Sequence, residues 1–167
     1  CVEAGVSLDA LMENAGLAIA EYIRDVFADS LNSSTDSTTA DKLYGKRIMI
    51  LVGPGNNGAD GFVAGRHLAA WGANVTAVLC AGRKSPDPKR RLAEEAGIPV
   101  VDGVSKSGSE LLNEKLATTD VVIDAVLGTG ASLPITEPLS SLLFSVVESA
   151  APVIALDLPT GLNSDTG

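Results

Sequence analysis

KRIMILVGPGNNGADGFVAGRHLAAWG, residues 46–72, runs from an apolar segment through a glycine-rich turn into a helix-like segment. Gly53, Gly55 and Gly58 match the G-x-G-x-x-G pattern, which joins a strand to a helix in nucleotide-binding proteins. Backbone N–H groups at the start of such a helix bind phosphate. The order strand, turn, helix therefore predicts an α/β fold with an anion-binding turn.

The turn is more polar than phosphate binding requires. Pro54, the pair Asn56 and Asn57, and Asp60 are not residues that the dinucleotide pattern asks for. These side chains indicate that the turn takes part in chemistry as well as in ligand binding.

The rest of the chain repeats the alternation of strand and helix. Short β-rich runs are predicted at 46–52, 74–81, 98–101, 120–127 and 152–158, and helices at 7–29, 60–72, 86–96, 107–117 and 137–149. Near-continuous apolar strands joined by helices are typical of a parallel sheet covered on both faces. We expect a three-layer α/β/α Rossmann-like sandwich with strand order 3-2-1-4-5 and a ligand crevice between strands one and four.

Composition limits the partners of this chain. It has 167 residues, 46% hydrophobic, with a net charge of −9 and no basic cluster, which argues against binding to nucleic acid or to an anionic membrane surface. No apolar run is long enough to cross a bilayer, and no signal peptide is visible. Cys1 and Cys80 form neither a disulfide framework nor a metal-ligand pattern, so we expect both to be structural and the protein to be cytoplasmic.

The domain organisation is simple. Residues 1–167 are expected to form a single domain, and the polar stretch 31–42, LNSSTDSTTADK, a flexible loop. The chain starts at Cys1 rather than Met and stops at Gly167 in a loop-like segment, so we expect a fragment that is incomplete at its C-terminal end. The run 152–158 would then be an uncovered edge strand, and the isolated chain should aggregate more readily than a longer one.

Two acidic residues stand inside apolar runs. Asp124 and Asp157 fall in predicted strands four and five, where a buried carboxylate is costly unless it is paired. One possible partner is a cation, since hard cations take carboxylate, amide, hydroxyl and backbone oxygens. Hydrogen bonds from loop N–H groups are the alternative.

Four motifs together resemble one known family. LMENAG (11–16), GPGNNGADGFVAGRHL (53–68), DAVLGTG (124–130) and ALDLPTGLNSDTG (155–167) occur in the order found in the YjeF N-terminal domain family, the NAD(P)H-hydrate epimerases. The resemblance implies an isomerase that interconverts the R and S forms of hydrated NADH and NADPH (NADHX and NADPHX). It also implies a dehydratase partner, fused or separate, that repairs the S form. A homodimer is compatible with the resemblance.

The resemblance assigns roles to particular residues. A potassium ion would be held by Asn57, Asp124 and Thr160, where Thr160 replaces the family's usual serine. The hydrated cofactor would contact three groups of residues, which are Asn56, Asn57, Gly58, Ala59 and Asp60; Gly128, Thr129, Gly130, Ala131, Ser132, Leu133 and Pro134; and Asp157. Ala59 stands where the family usually has a second glycine.

The expected chemistry needs an acid and a base. The ring nitrogen beside the hydroxyl-bearing carbon can expel hydroxide, and water can then return to either face of the planar iminium. One carboxylate can donate and later accept the proton. Asp157 is the first candidate for this catalytic role and Asp60 the second.

Two other functions fit part of the sequence. An NADP-dependent oxidoreductase would use the same glycine pattern, with Arg83 and Lys84 on a 2′-phosphate. A non-catalytic nucleotide-binding or scaffold module is the other alternative, and in such a module the carboxylates would be expected to be lost. Because Asp60, Asp124 and Asp157 are all present, an active site is favoured.

Overall fold

A computed structural model describes residues 7–29, 43–129 and 134–163. The predicted flexible loop 31–42 lies outside the described residues. Helices and strands alternate in the order α1 (Leu8–Asp29), β1 (Arg47–Val52), α2 (Asn56–Ala70), β2 (Asn74–Leu79), α3 (Pro88–Glu95), β3 (Val100–Asp102), α4 (Lys106–Leu116), β4 (Val121–Ala125), α5 (Leu139–Val147) and β5 (Val153–Ala155). Within the described ranges, no helix is both long enough and apolar enough to span a membrane.

The five strands form one parallel sheet. Its order is β3-β2-β1-β4-β5, which confirms the predicted order. The last residue of β1, Val52, lies opposite Leu79 of β2 and Ala125 of β4. The carboxyl ends of these strands therefore meet at one edge of the sheet, and the loops that follow them lie together.

Each face of the sheet has its own apolar core. Ile50 of β1 belongs to a cluster that includes Phe62 of α2, whereas the next residue, Leu51, belongs to a cluster that includes Leu112 of α4 and Leu142 of α5. Side chains of a strand alternate between faces, so consecutive apolar residues need cover on both sides. This arrangement confirms the three-layer α/β/α sandwich.

Helix α1 packs against α2 at close range. Ala20 and Ile23 are fully buried, as the helical spacing of apolar residues predicts. A Cβ at Gly16 would lie 2.5 Å from the Cβ of Val63 and 2.8 Å from the main-chain nitrogen of Ala64. Glycine thus allows α1 to approach α2 and to reach the carboxyl edge of the sheet.

Among the differences between predicted and observed boundaries, two concern the candidate site. Helix α2 begins at Asn56 rather than at residue 60, with Gly55 as its N-cap. Strand β5 ends at Ala155, so Asp157 lies beyond the strand and not inside it. Asp157 has a φ of 66°, and a left-handed residue cannot continue an extended strand.

Candidate active site

A cavity of about 740 Å³ lies at the carboxyl edge of the sheet, beside the ends of β1 and β4. Its walls come from the turn after β1, the segment after β4 and the segment after β5, which are three regions that the sequence predicts to converge. Helix α1 adds Ala15, Ala18 and Ile19 as an apolar wall that the sequence analysis did not foresee. The cavity therefore combines an apolar side with polar strand ends, as small-molecule sites do.

The turn after β1 is held close to β4. The Gly53 N–H donates to the carbonyl oxygen of Ala125 at 3.0 Å, and a Cβ at Gly53 would overlap the main chain of Val126. Gly55 then caps α2 without a side chain, so the first N–H groups of the helix have no side-chain cap. The prediction of a glycine turn leading directly into a helix is confirmed.

Ala59 does not strain this turn. It is buried inside α2, and its N–H donates to the Gly55 carbonyl oxygen at 3.3 Å. Among the described non-glycine residues, only Asp157 has a positive φ. Alanine is therefore compatible with this position, because a helical residue does not need the freedom of glycine.

Asn57 connects the three strand ends. Its Nδ2 donates to the carbonyl oxygen of Leu127, after β4, at 3.1 Å and to that of Leu156, after β5, at 3.3 Å. As a residue of the first turn of α2, Asn57 therefore fixes that turn to the other two loops.

Asp124 is buried but fully partnered. Only 6% of it is exposed, and its carboxylate accepts hydrogen bonds from the Thr160 N–H and hydroxyl, each at 2.7 Å, and from the Val126 N–H at 3.2 Å. The Thr160 hydroxyl oxygen also accepts the Leu127 N–H at 3.1 Å. Loop donors thus compensate the Asp124 charge, and Asn57, Asp124 and Thr160 are linked through Leu127.

Asp157 is exposed, which corrects the expectation that it is a buried carboxylate. The reason is its place in the bend after β5, where the left-handed backbone turns the chain away from the core. Its carboxylate accepts the Thr129 N–H at 2.8 Å, and a Cβ at Gly128 would lie 2.5 Å from its Oδ2. Asp157 lines the cavity, so it is positioned for a ligand rather than for packing.

Asp60 faces the same cavity from α2. Its Oδ1 is buried without a hydrogen-bond partner among the described residues. Burial raises the pKa of Asp60 to about 6; the charge of Lys89 opposes this shift and the charge of Asp157 adds to it. A carboxyl group with a raised pKa beside a cavity is a candidate proton donor.

An ion cluster around the buried Lys89, next to Asp60, was missed by the sequence analysis. Lys89 of α3 is buried and pairs with Asp9, at 2.8 Å, and with Glu13, both on α1. Arg66 of α2 donates to both oxygens of Glu13 at 2.7 Å. Glu13 lies in the LMENAG motif, but its partners are more than fifty residues away in sequence, so no local pattern reveals the cluster.

The predicted substrate loop is described only in part. Gly128 and Thr129 line the cavity, whereas Gly130, Ala131, Ser132 and Leu133 lie outside the described residues. Pro134 lines a neighbouring cleft of about 430 Å³ that shares Leu127 with the cavity. Gly58 and Ala59 are buried in α2, and neither is among the described residues that line the cavity.

The contacts of Arg83 do not match the role that the oxidoreductase hypothesis assigns to it, which is to bind a 2′-phosphate. Its Nη1 donates to the carbonyl oxygens of Gly53 and Gly55, and its Nε donates to Asp87. These contacts use the guanidinium that would have to bind a 2′-phosphate. Lys84 is exposed.

The fold and the cavity define a class, namely Rossmann-like α/β proteins with a small-molecule site at the carboxyl ends of parallel strands. Comparison with known proteins gives the family. The family described as YjeF-related protein N-terminus matches residues 8–167, and the chain belongs to it.

Named relatives agree with this membership. A protein of Archaeoglobus fulgidus named bifunctional NAD(P)H-hydrate repair enzyme Nnr is 33% identical over 100% of this chain and 31% of its own length. A protein of Rhodopirellula baltica named NAD(P)H-hydrate epimerase is 34% identical over 94% of this chain and 58% of its own length. The chain thus spans less than two thirds of these relatives.

A solved structure has the same fold. The crystal structure of yeast ynu0 matches 99% of this chain and 66% of its own chain, with a TM-score of 0.78 and 27% sequence identity.

Proposed function

We propose that this chain is an NAD(P)H-hydrate epimerase, an isomerase that interconverts the R and S forms of NADHX and NADPHX. The observation that carries the proposal is the pair of carboxylates, Asp60 and Asp157, on one cavity at the strand ends of a YjeF-related domain. Relatives that bear the name NAD(P)H-hydrate epimerase support it.

In this reaction one proton passes from a carboxyl group of the protein to the substrate hydroxyl group, and a proton later returns to the carboxylate. Protonation of the hydroxyl group lets the C–O bond break, the ring nitrogen lone pair forms an iminium, and water leaves. Water then adds to either face of the ring and returns its proton to the carboxylate. Atoms and charge balance, so neither a redox partner nor a covalent intermediate is needed.

Asp60 is our candidate for the proton carrier. A pKa of about 6 keeps a useful fraction of its carboxyl groups protonated near neutral pH, and its buried Oδ1 has no competing partner among the described residues. The Asp157 carboxylate, held by the Thr129 N–H, can stabilise the positive charge of the iminium. In this assignment Asp60 carries the proton and Asp157 does not, which reverses the order of the two candidates that the sequence suggests.

The backbone of the turn is the candidate anchor for the substrate's phosphates. The chain carries a net charge of −9, so an anionic ligand must be held by local donors. The N–H groups at the start of α2 supply such donors, and the helix dipole favours an anion there.

A potassium ion held by Asn57, Asp124 and Thr160 is part of the proposal. Support comes from the oxygen atoms that lie together, namely the carbonyl oxygens of Leu127 and Leu156 beside the Asp124–Thr160 pair. An ion at this place would replace the hydrogen bonds that Asn57 Nδ2 donates to the two carbonyl oxygens, and the Asn57 amide oxygen would then face the ion. Carboxylate, hydroxyl, amide and carbonyl oxygens suit a hard cation. When bound, such an ion would supply positive charge at the junction of three loops.

We also propose two partners. A dehydratase, fused or separate, would consume the S form, in line with the relatives named bifunctional repair enzymes. A homodimer could use α1, on which Leu8 and Tyr22 are exposed.

A coupled assay tests the function. The R form of hydrated NADH is incubated with the protein and a dehydratase specific for the S form, and recovery of NADH is followed. Asp60→Asn should lower kcat by ~10²–10⁴ with little change in affinity, because asparagine cannot transfer the proton. Asp157→Asn should lower kcat less.

Asp25→Asn, an exposed carboxylate on α1, is the matched control and should leave the rate unchanged. Near-normal turnover in Asp60→Asn with collapse in Asp157→Asn would restore Asp157 as the proton carrier. Absence of NADH recovery above the uncatalysed rate in the unmodified protein would refute the epimerase function itself.

A further inference from the structure

The guanidinium of Arg83 contacts the turn between β1 and α2. Arg83 follows β2, and its Nη1 donates to the carbonyl oxygens of Gly53 and Gly55, the latter at 3.1 Å. Its Nε donates to Asp87 Oδ2 at 2.5 Å, and its side chain is only 8% exposed. The charge of Arg83 is therefore directed at the main chain of the turn and not at solvent.

The Gly55 carbonyl oxygen accepts both the Ala59 N–H, at 3.3 Å, and Arg83 Nη1, and these two bonds together fix where the next N–H group points. In a trans peptide the C=O and N–H bonds point in opposite directions. Because the Gly55 carbonyl oxygen faces Arg83, the Asn56 N–H points away from Arg83. Gly55 and Asn56 line the cavity, and Arg83 is not among the described residues that do so. The Arg83 contact thus favours donors that face the ligand side of the turn.

Further contacts keep the guanidinium in place. Arg83 Cζ lies 5.4 Å from the ring centroid of Phe62, a fully buried residue of α2. Asp87, its ion-pair partner, is also the N-cap of α3 and accepts the Arg90 N–H at 3.1 Å. Arg83 consequently connects the turn to both α2 and the start of α3.

Gly58 leaves the space that this arrangement needs. A Cβ at Gly58 would overlap the carbonyl oxygen of Gly53 and the guanidinium of Arg83. The contacts of Arg83 therefore explain why the third position of the motif is glycine, which the phosphate-binding pattern alone does not explain.

We propose that Arg83 is a positioning residue for the substrate: through the carbonyl group of Gly55 it helps to hold the Asn56 N–H toward an anionic group of the ligand, and through the carbonyl group of Gly53, whose next residue Pro54 has no N–H, it fixes the turn itself, without touching the ligand. The identity of that anion, a phosphate of hydrated NAD(P)H, rests on the proposed function. The positive charge of Arg83 also offsets the negative ends of the two carbonyl dipoles, which matters in a chain with a net charge of −9.

Three variants separate positioning from charge. Arg83→Met removes charge and hydrogen bonds, Arg83→Lys keeps the charge but loses the planar fork, and Lys84→Met removes the neighbouring exposed charge. Binding of NADP⁺, used as a stable analogue of the substrate, is measured together with hydrogen exchange of the amides of residues 56–59. The coupled assay gives kcat and KM separately.

Both Arg83 variants should weaken NADP⁺ binding about tenfold and raise KM, with kcat within about threefold, since roughly this loss follows when a hydrogen bond to a charged group is removed. Within 56–59, amide exchange should accelerate at Ala59, because its N–H donates to the Gly55 carbonyl oxygen that Arg83 holds, while exchange in β4 stays unchanged. Lys84→Met should leave both measurements within about twofold of the unmodified protein.

Other results would overturn the proposal. Normal binding by Arg83→Lys would mean that charge alone matters, and an equal loss in Lys84→Met would mean a long-range field. Unchanged exchange at 56–59 in both Arg83 variants would contradict the positioning role even if the protein lacked epimerase activity. If Arg83→Met does not fold, Gly58→Ala, which displaces the same contacts from the opposite side, provides the second measurement.

Discussion

Asp60, which lines the cavity, and Asp124, which lies in the neighbouring strand β4, differ in how their carboxylates are partnered. Asp124 accepts three hydrogen bonds from Thr160 and Val126, so its charge is compensated where it is buried. Asp60 has a buried oxygen without a partner among the described residues and a pKa raised to about 6. Uncompensated burial costs stability, and proteins retain it at sites where a proton must move.

This difference predicts a stability gain in Asp60→Asn. The pKa of Asp60 is about 6 in the folded protein, against 3.8 for a solvent-exposed aspartate, so ionisation of Asp60 is less favourable in the folded protein than in the unfolded chain. Stability from this group is full below pH 3.8 and is lost as the pH rises through 6. Asp60→Asn should raise the free energy of unfolding by roughly 1 kcal/mol at pH 8, after allowance for solvent screening. The gain should shrink as the pH falls from 6 toward 4, as measured by urea unfolding.

Asp120→Asn is a control for which the expected change in stability has the opposite sign. The side-chain hydrogen bonds of Arg47 hold the pKa of Asp120 below its usual value. Its stabilisation is present above pH 3.8 and is lost as the pH falls through the lowered pKa. Asp120→Asn should therefore be destabilising at pH 7, and the loss should vanish in acid. A pH-independent effect in both variants would contradict this account of Asp60.

The proposed potassium site gives a second prediction for single residues. Asp124→Asn removes the only formal charge among Asn57, Asp124 and Thr160, so added KCl should raise the Tm of the unmodified protein more than that of the variant. Tetramethylammonium chloride at equal ionic strength separates specific binding from screening. An equal response to potassium in both proteins would exclude a site that depends on Asp124.

At the scale of elements, the position of α1 depends on one glycine. Gly16 lets α1 approach Val63 and Ala64 of α2, and the same helix supplies the apolar wall of the cavity. The ion cluster of Glu13, Lys89 and Arg66 holds α1, α2 and α3 together at this end. The wall of the candidate site is therefore built by helix packing rather than by the strand-end loops alone.

Gly16→Val should displace α1. Overpacking of this kind costs about 1–3 kcal/mol, which outweighs any gain in helix propensity over glycine. We expect a Tm lower by about 2–12 °C together with weaker NADP⁺ binding, because the cavity wall moves. Asn14→Val, at an exposed position of the same helix, introduces the same side chain without the contact and should change both values little. Unchanged stability in Gly16→Val would show that the two helices can separate without cost.

At the scale of the whole molecule, the described sheet ends at β5, which pairs with β4 on one side. Val153 of β5 is 48% exposed, and Phe144 and Val147 of α5 are 65% and 75% exposed. Exposed apolar side chains beside a strand edge that has no partner in the described part of the chain favour association between chains.

Self-association of the 167-residue chain should therefore depend on this edge. Val153→Lys should lower the concentration-dependent increase in light scattering, since lysine on an edge strand opposes pairing. Val153→Ile keeps the apolar character and should scatter like the unmodified protein. Equal scattering by the lysine and isoleucine variants would place the contact elsewhere, with the exposed side of α1 as the next surface to test.

Much of this architecture was predictable from sequence because it depends on local patterns. The alternation of apolar strands and helices led to the correct layers and strand order, and the glycine turn was placed correctly between β1 and α2. The start of α2 was predicted four residues late because Asn56 and Asn57 resemble loop residues. A first helical turn tolerates them, since its N–H groups need no partner within the helix.

The sequence by itself determined which segments meet, because parallel strands bring their carboxyl ends to one edge whatever their side chains. It could not determine how each acid would be compensated. Asp124 accepts hydrogen bonds from Thr160, thirty-six residues away. Asp60 has a buried oxygen without a partner among the described residues, and Asp157 is exposed. Only the tertiary structure decided these outcomes, because burial, charge pairing and the reach of Arg83 to Gly53 depend on distances between elements that are remote in sequence.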